Sequence, residues 1–370
     1  MKEILSDLDR WRAAGTRFVV ARVVDIEGSG PRLPGASMAV SADGEVTGSV
    51  SGGCVEGAVV AEALDLLESG QRRLVTFGYS DDEAFAVGLT CGGTVHLFLE
   101  ALGQGGDDPD ERLFEHWRAA VLDQRPVAIA TVIEGPSIGA KVLVGDGIEP
   151  VGSLGDVDLD RVVIRDTIGE LAGGRTGVRH YGPHGEARED AVSVFVESFA
   201  PPPQMLIFGA VDFTGALVRV AKVLGYRVTV CDAREVFATH RRFPLADEVE
   251  VDWPHRLLER MGERLGQRDV ICVLTHDHKF DIPAIIAALG TDVGYLGAMG
   301  SRRTNAERLE RLAAAGADMA AVASRLHAPI GLDLGGRTPE ETAIAICAEI
   351  IAARTGRAAA SLSGTEGPIH

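Results

Sequence analysis

Apolar residues in the first 200 positions fall in short runs that alternate with polar ones or stay continuous, the pattern of half-buried and buried strands. The runs FVVARVVDIEG (18–28) and TGSVSGG (47–53) are echoed by VAIATVIEG (127–135) and VGSLGD (151–156). VHLFLEAL (95–102) is likewise echoed by VSVFVESFA (192–200). A helix is predicted ahead of each set. Residues 3–14 place Ile4, Leu5, Leu8 and Trp11 on one face, and residues 110–123 do the same with Leu113, Phe114, Trp117 and Val121. Residues 1–200 therefore read as an α/β domain with a degenerate internal duplication, its sub-repeats spanning about 1–103 and 110–200.

The pattern changes after APPPQ (200–204), whose consecutive prolines make a stiff linker over 201–204. QMLIFG, RVTVC, DVICVLT and VGYLGAM read as strands. Between or after them lie helical stretches, including DFTGALVRVAKVLG with Gly225 placed to end it. Alternating strands and helices imply a parallel, doubly wound sheet, a Rossmann-like domain over 205–300. Helices over 301–356 are expected to pack on it, and 357–370 reads as a flexible tail. In TPEETAIAICAEIIAA, Thr338 is placed as N-cap, Pro339 at the first helical position and Glu341 to complete a capping box.

Composition narrows the class. The chain of 370 residues is 46% apolar and 24% charged, with net charge −18 and pI near 5.0. So acidic a chain is not expected to bind nucleic acid or an anionic membrane. No apolar run approaches the ~18 residues of a membrane span, and membrane insertion is not expected. The five cysteines (54, 91, 231, 272 and 347) are odd in number and widely spaced, without a CxxC pair. Reduced thiols and a cytoplasmic location are expected.

The first strand–helix junction of the second domain, IFGAVDFTG, keeps only Gly209 of a G-x-G-x-x-G fingerprint, followed by Ala210; Val211 and Thr214 occupy the other glycine positions. Asp232, at the end of the second strand, follows Gly209 at close to the ~20-residue spacing of a ribose-binding carboxylate. Arg234 nearby is suited to a phosphate. Two polar clusters fall at the carboxyl ends of later strands: Thr275, His276 and Asp277 after one, and Gly300, Ser301 and Arg302 after the next. Amides and arginines at that second position suit an anion. His276, His278, Asp277 and Asp281 also carry metal-ligand chemistry, but alternate residues of an extended segment diverge, and loop capping by Asp277 is the simpler reading.

Cysteine placement separates the two repeats. The first has SGGCVEG where the second has SLGDVDLD, and CGGT where the second has REDA. With a helix beginning near Gly53, Cys54 falls in its first turn, where the dipole favours a thiolate. Gly52 and Gly53 clear the approach, and their amides suit an anion nest. Glu56 is placed to cap the turn, accept a proton or bond a heterocycle, while raising the thiol pKa. The alternative is that Gly-Gly permits tight packing and Cys54 fills a small space.

The strings GSVSGGCVEGAVVAEA, FGYSDDEAFAVGLTCGG, VTVCDAREVFATHRRFPLADEV, VLTHDHKFDIPAI, YLGAMGSRRT and HAPIGLDLGGRTPEETAIAICAEI resemble the XdhC/CoxI family of xanthine dehydrogenase accessory proteins. That resemblance implies a maturation factor that binds the molybdenum cofactor (molybdopterin with its metal), holds it during sulfuration and delivers it to an apo molybdenum hydroxylase of the xanthine dehydrogenase or CO dehydrogenase type. It implies a cysteine desulfurase as further partner and a homodimer. Carried onto this chain, the cofactor contacts are Gly52, Gly53, Cys54 and Glu56, with Cys91, Gly92 and Gly93 of the second loop. Cys54 is the candidate contact to molybdenum, and no metal held by the protein alone is expected. The Rossmann domain would bind NAD(P) or the nucleotide half of a cytidine dinucleotide form of the cofactor. Two rivals remain at this stage: an NAD(P)-dependent oxidoreductase with His276 or Cys54 as proton donor, and a scaffold with a vestigial Rossmann domain.

Overall fold

The central strands of the first half of the molecule are buried on both faces, and alternate side chains enter two different cores. The structure, a computed structural model, describes residues 1–28, 30, 32–78, 93–102 and 109–365. It divides into two compact units, Met1–Pro201 and Pro202–His370. The first unit begins with α1 (Leu5–Ala13), β1 (Phe18–Glu27), β2 (Ser37–Ser41), β3 (Val46–Gly48), α2 (Glu56–Ser69), β4 (Arg73–Phe77) and β5 (Thr94–Leu102). The same succession follows as α3 (Pro109–Leu122), β6 (Val127–Glu134), β7 (Lys141–Gly145), β8 (Ile148–Ser153), α4 (Val157–Gly173), β9 (Gly177–Tyr181) and β10 (Val192–Phe199). Each set forms an antiparallel five-stranded sheet, in the orders β3-β2-β1-β5-β4 and β8-β7-β6-β10-β9. The two orders are identical, so the duplication extends to topology.

Alternation along β1 sends Val19, Ala21 and Val23 toward Val59, Ala63 and Leu66 of α2. Phe18 and Val20 point the other way, into a core shared with Trp11 of α1, Trp117 of α3 and Val127, Ile129 and Leu143 of the second sheet. Each fully buried side chain of this size contributes about 1.5–3 kcal/mol. Charges also lie in that inter-sheet layer. Arg22 donates to Glu100, Lys141 Nζ lies 2.6 Å from Glu100, and Arg22 lies 3.5 Å from Glu197. Burial would push the Glu100 carboxyl up, but Lys141 and Arg22 outweigh it and hold it down.

Six parallel strands form the second unit: β11 (Gln204–Phe208), β12 (Arg227–Cys231), β13 (Glu248–Glu250), β14 (Val270–Val273), β15 (Tyr295–Ala298) and β16 (Leu326–His327). The order β13-β12-β11-β14-β15-β16 reverses between β11 and β14, which makes a topological switch point there. On one face α5 (Asp212–Val223) and α10 (Pro339–Thr355) cover Ile207, Val230 and Cys272. On the other, α6 (Pro254–Met261), α7 (His278–Leu289), α8 (Arg302–Ala314) and α9 (Met319–Arg325) cover Phe208, Ile271 and Leu296. The stretch read as helices alone thus also supplies the edge strand β16. Thr338 caps α10, with its hydroxyl accepting from Glu341 N and Glu341 accepting in return from Thr338 N. No helix among the described residues is long and apolar enough to cross a membrane.

Candidate functional site

Four of the five cysteines are described, and burial separates them. Cys231, Cys272 and Cys347 are 0%, 0% and 3% exposed. Burial pushes the thiols of Cys231 and Cys347 up to about 12 and raises that of Cys272 as well, so all three stay protonated. Cys54 is only half-buried, its side chain resting against the core between α2 and the first sheet. Cys91 and Gly92 lie outside the described residues; Gly93 is buried just before β5.

The loop that carries Cys54 is organised by Glu56. Its Oε1 accepts from the Ser49 hydroxyl at 2.7 Å, Ser51 N at 2.9 Å and Val50 N at 3.3 Å. Its Oε2 accepts from the Ser51 hydroxyl and from Gly53 N at 2.8 Å. Ser51 Oγ in turn accepts from Cys54 N at 3.0 Å and Val55 N at 2.9 Å, and Ser49 Oγ accepts from Gly52 N at 2.9 Å. Partial burial would raise the Glu56 carboxyl; the Ser51 and Ser49 hydroxyls and the Ser51 amide overcome this and hold it at about 2.

Two expectations change here. The helix begins at Glu56 rather than near Gly53, so Cys54 precedes its N-cap, Val55. Of the two glycine amides expected to seat an anion, Gly52 N goes to Ser49 Oγ, while Gly53 N joins Val50 N and Ser51 N on the chain's own Glu56 carboxylate. With its oxygens taken up by five loop donors and its carboxyl held at about 2, Glu56 is too weak a base to keep a proton at neutral pH. Gly52 and Gly53 have φ of +74° and +119°, and no described atom lies within 4 Å of a Cβ built on either. Their need is conformational, not close packing.

In the second unit, the turn after β11 meets the switch point. Gly209 has φ +115°, and a Cβ there would press on Thr275 from the neighbouring loop. Asp232 is 2% exposed and fully engaged: it accepts from Ala210 N at 2.8 Å and from Arg234 through Nε at 2.9 Å and Nη2 at 2.7 Å. Burial would raise its carboxyl, and Arg234 with the Ala210 and Arg234 amides holds it low. Asp232 therefore faces Arg234 and not an open ribose seat. The Ala210 amide is spent on it, Val211 projects a side chain, and exposed Asp212 sets a negative charge at the start of α5. These residues do not fit a dinucleotide diphosphate held on the β11 turn.

On the far side of the switch point Thr275 is buried, donating its hydroxyl to Asp281, while His276 and Asp277 are exposed. Asp277 caps α7 by accepting from Lys279 N at 3.1 Å. Asp281 also lies 3.3 Å from buried Arg308, whose Nη2 donates to Met299 O at 2.6 Å. This pair ties the loop after β14 to the end of β15. Gly300 leads into α8, which Ser301 caps through Thr304 N, leaving Ser301 and Arg302 exposed. Among the described residues no group of three or more His, Cys, Asp or Glu side chains is placed to hold a metal ion.

The sequence matches the XdhC Rossmann domain over residues 205–350, and the XdhC and CoxI family over residues 11–78 and 120–182. The chain belongs to the XdhC and CoxI family. A relative from Bacillus subtilis, named as a probable subunit of xanthine dehydrogenase, is 28% identical over 91% of this chain and 93% of its own. An Escherichia coli relative, named the molybdenum cofactor insertion chaperone PaoD, is 26% identical over 92% of this chain and 85% of its own. A solved structure from Bacillus halodurans, described as a xanthine dehydrogenase, superposes with a TM-score of 0.63 at 24% identity, covering 99% of this chain and 98% of the other; that likeness is one of fold.

Within this XdhC and CoxI chain, sequence reasoning missed Ser49 and Ser51 as organisers of the thiol loop, and the pair Asp281–Arg308. The first was detectable: Ser49 and Glu56 recur as Ser153 and Asp160, where the Ser153 hydroxyl donates to Asp160 at 2.7 Å.

Proposed function

We propose that this chain is a maturation factor for a molybdenum hydroxylase. It carries the molybdenum cofactor as cargo on the loop 49–56, with the Cys54 thiol as the contact to its metal–sulfur centre, and passes it to the apo-enzyme. The observation that carries this reading is the thiol itself: among the described cysteines Cys54 alone reaches the surface, on a loop where a Cβ added to Gly52 or Gly53 would meet no described atom within 4 Å. A thiolate is a soft ligand matched to a molybdenum–sulfur centre. Further support comes from the likeness to a relative named as a molybdenum cofactor insertion chaperone. Gly52 and Gly53 line the approach, with Cys91, Gly92 and Gly93 proposed as the second side. Glu56 holds the loop instead of touching cargo. Sulfuration while bound, with a cysteine desulfurase as sulfur donor, belongs to the same proposal.

For the second unit the proposed ligand is a phosphate or nucleotide end seated at His276, Ser301 and Arg302. A diphosphate lying on Gly209 and Ala210 is disfavoured by Asp232 and Asp212. Titration with NAD, NADP and cytidine nucleotides separates the candidates. The test of the main proposal is co-expression with cofactor synthesis, measuring bound molybdenum and pterin for wild type and Cys54→Ser. Stoichiometric loading of wild type and loss in the variant is expected. Equal loading removes Cys54 from the mechanism, and no loading in either removes the carrier role.

A further inference from the structure

The two repeats differ in one device that explains how a thiol comes to stand on this loop. From Gly48 and Gly152, both at positive φ and both paired at the same place in their sheets, the chains run in step without a gap. Ser49, Ser51, Gly52, Gly53, Cys54 and Glu56 then stand where the second repeat has Ser153, Gly155, Asp156, Val157, Asp158 and Asp160. In the second repeat the helix α4 starts at Val157, and Asp156 caps it by accepting from Asp158 N at 3.0 Å and Leu159 N at 2.9 Å. The equivalent amides in the first repeat, Cys54 N and Val55 N, go to the Ser51 hydroxyl. The cap has moved back by one residue, from the position of Gly52 to that of Ser51.

That shift has two consequences. Position 52 no longer needs a carboxylate and holds a glycine at φ +74°, where Asp156 has φ −140°. The helix also starts three residues later: its ladder opens with Val59 N donating to Val55 O, against Asp160 N to Asp156 O. Residues 53–55 are unwound, and Cys54 turns to lie half-buried against the sheet, whereas Asp158 is exposed. Ser51 keeps its place because its proton goes to Glu56, whose extra methylene over Asp160 also reaches Gly53 N. In the second repeat Asp160 takes only Ser153 Oγ and Leu154 N.

We infer that Ser51 and Glu56 are positioning residues which hold the first turn of α2 unwound and so fix the half-buried orientation, against the sheet, in which Cys54 meets the cargo; this rests on the proposed role of Cys54. The experiment transplants the second repeat's arrangement with S51G/G52D, which restores a capping carboxylate and permits the turn to rewind. The expected result is a thermal midpoint within a few degrees of wild type, at least a threefold rise in Cys54 alkylation by iodoacetamide (read peptide by peptide in a mass spectrometer), and at least a tenfold fall in bound molybdenum and pterin. Glu56→Asp, matched to Asp160, is expected to give a smaller change in the same direction and covers the case of a double variant that does not fold. Unchanged alkylation in both overturns the unwinding device. Raised alkylation with full cofactor loading overturns its role in presenting Cys54 to cargo; if Cys54→Ser also loads fully, the failure lies in the thiol reading itself.

Discussion

Replacing Glu56 by glutamine keeps the shape of the side chain and removes the charge that gathers the thiol loop. Five donors converge on this carboxylate: two hydroxyls and three amides. Glutamine retains one acceptor oxygen, and its amide nitrogen would face donors on the other side. Held at about 2 against an ordinary 4.5, the carboxyl carries roughly 3 kcal/mol of preference for the ionised folded state, at ~1.4 kcal/mol per unit. Partial exposure screens this, so about 2 kcal/mol is expected to be lost in Glu56→Gln. For a unit of this size that lowers the unfolding midpoint by roughly 4–8 °C at neutral pH. Because the folded chain holds the proton less tightly than the unfolded one, the contribution is complete above about pH 4.5 and disappears as pH falls toward 2. Calorimetry of wild type and variant from pH 7 down to 2.5 reads both effects. Equal midpoints at pH 7, or a difference that survives unchanged at pH 2.5, would refute the reasoning.

The buried charges between the repeats make a second expectation. Lys141→Met removes the ammonium 2.6 Å from Glu100 and should cost about 3–5 kcal/mol in urea unfolding, with part recovered by adding Glu100→Gln. In the second unit, Arg308→Met leaves Asp281 with the Thr275 hydroxyl but without its charged partner and should destabilise by a similar ~3–5 kcal/mol, seen as an earlier unfolding transition of that unit. Gly53→Ala meets no described neighbour but must hold φ at +119°; a loss of about 1–3 kcal/mol is expected, with the deficit absent in a variant at an ordinary φ such as Gly57→Ala.

The sequence carried the architecture because each repeat spelled out its strands as short, near-continuous apolar runs in the same succession, and because Gly-Gly-Cys occurs in one repeat only. Glu100 and Glu197 were also visible, at matching places in VHLFLEAL and VSVFVESFA, yet nothing in a run of apolar residues says that a glutamate at its end turns inward to meet Arg22 and Lys141. The start of α2 was misplaced for a specific reason. Helix-start signals at Gly53 are those of the second repeat, where Val157 does begin a helix; only the side chains of Ser51 and Glu56, acting across five residues, unwind that turn. Asp232 fell at a ribose-binding spacing, but spacing is blind to Arg234, two residues away, which occupies the carboxylate. Asp281 and Arg308 are distant in sequence and meet only once α7 and α8 have packed.

Transfer to a client tests the central claim most directly. Protein loaded by co-expression, wild type or Cys54→Ser, is mixed with a purified apo molybdenum hydroxylase, and the recovered hydroxylase activity is followed alongside molybdenum lost from the carrier. The predicted result is activation by the wild-type chain with matching loss of its molybdenum, and little of either with Cys54→Ser. Full activation by the Cys54→Ser protein, or wild-type protein that holds molybdenum and never releases it to the client, would contradict it.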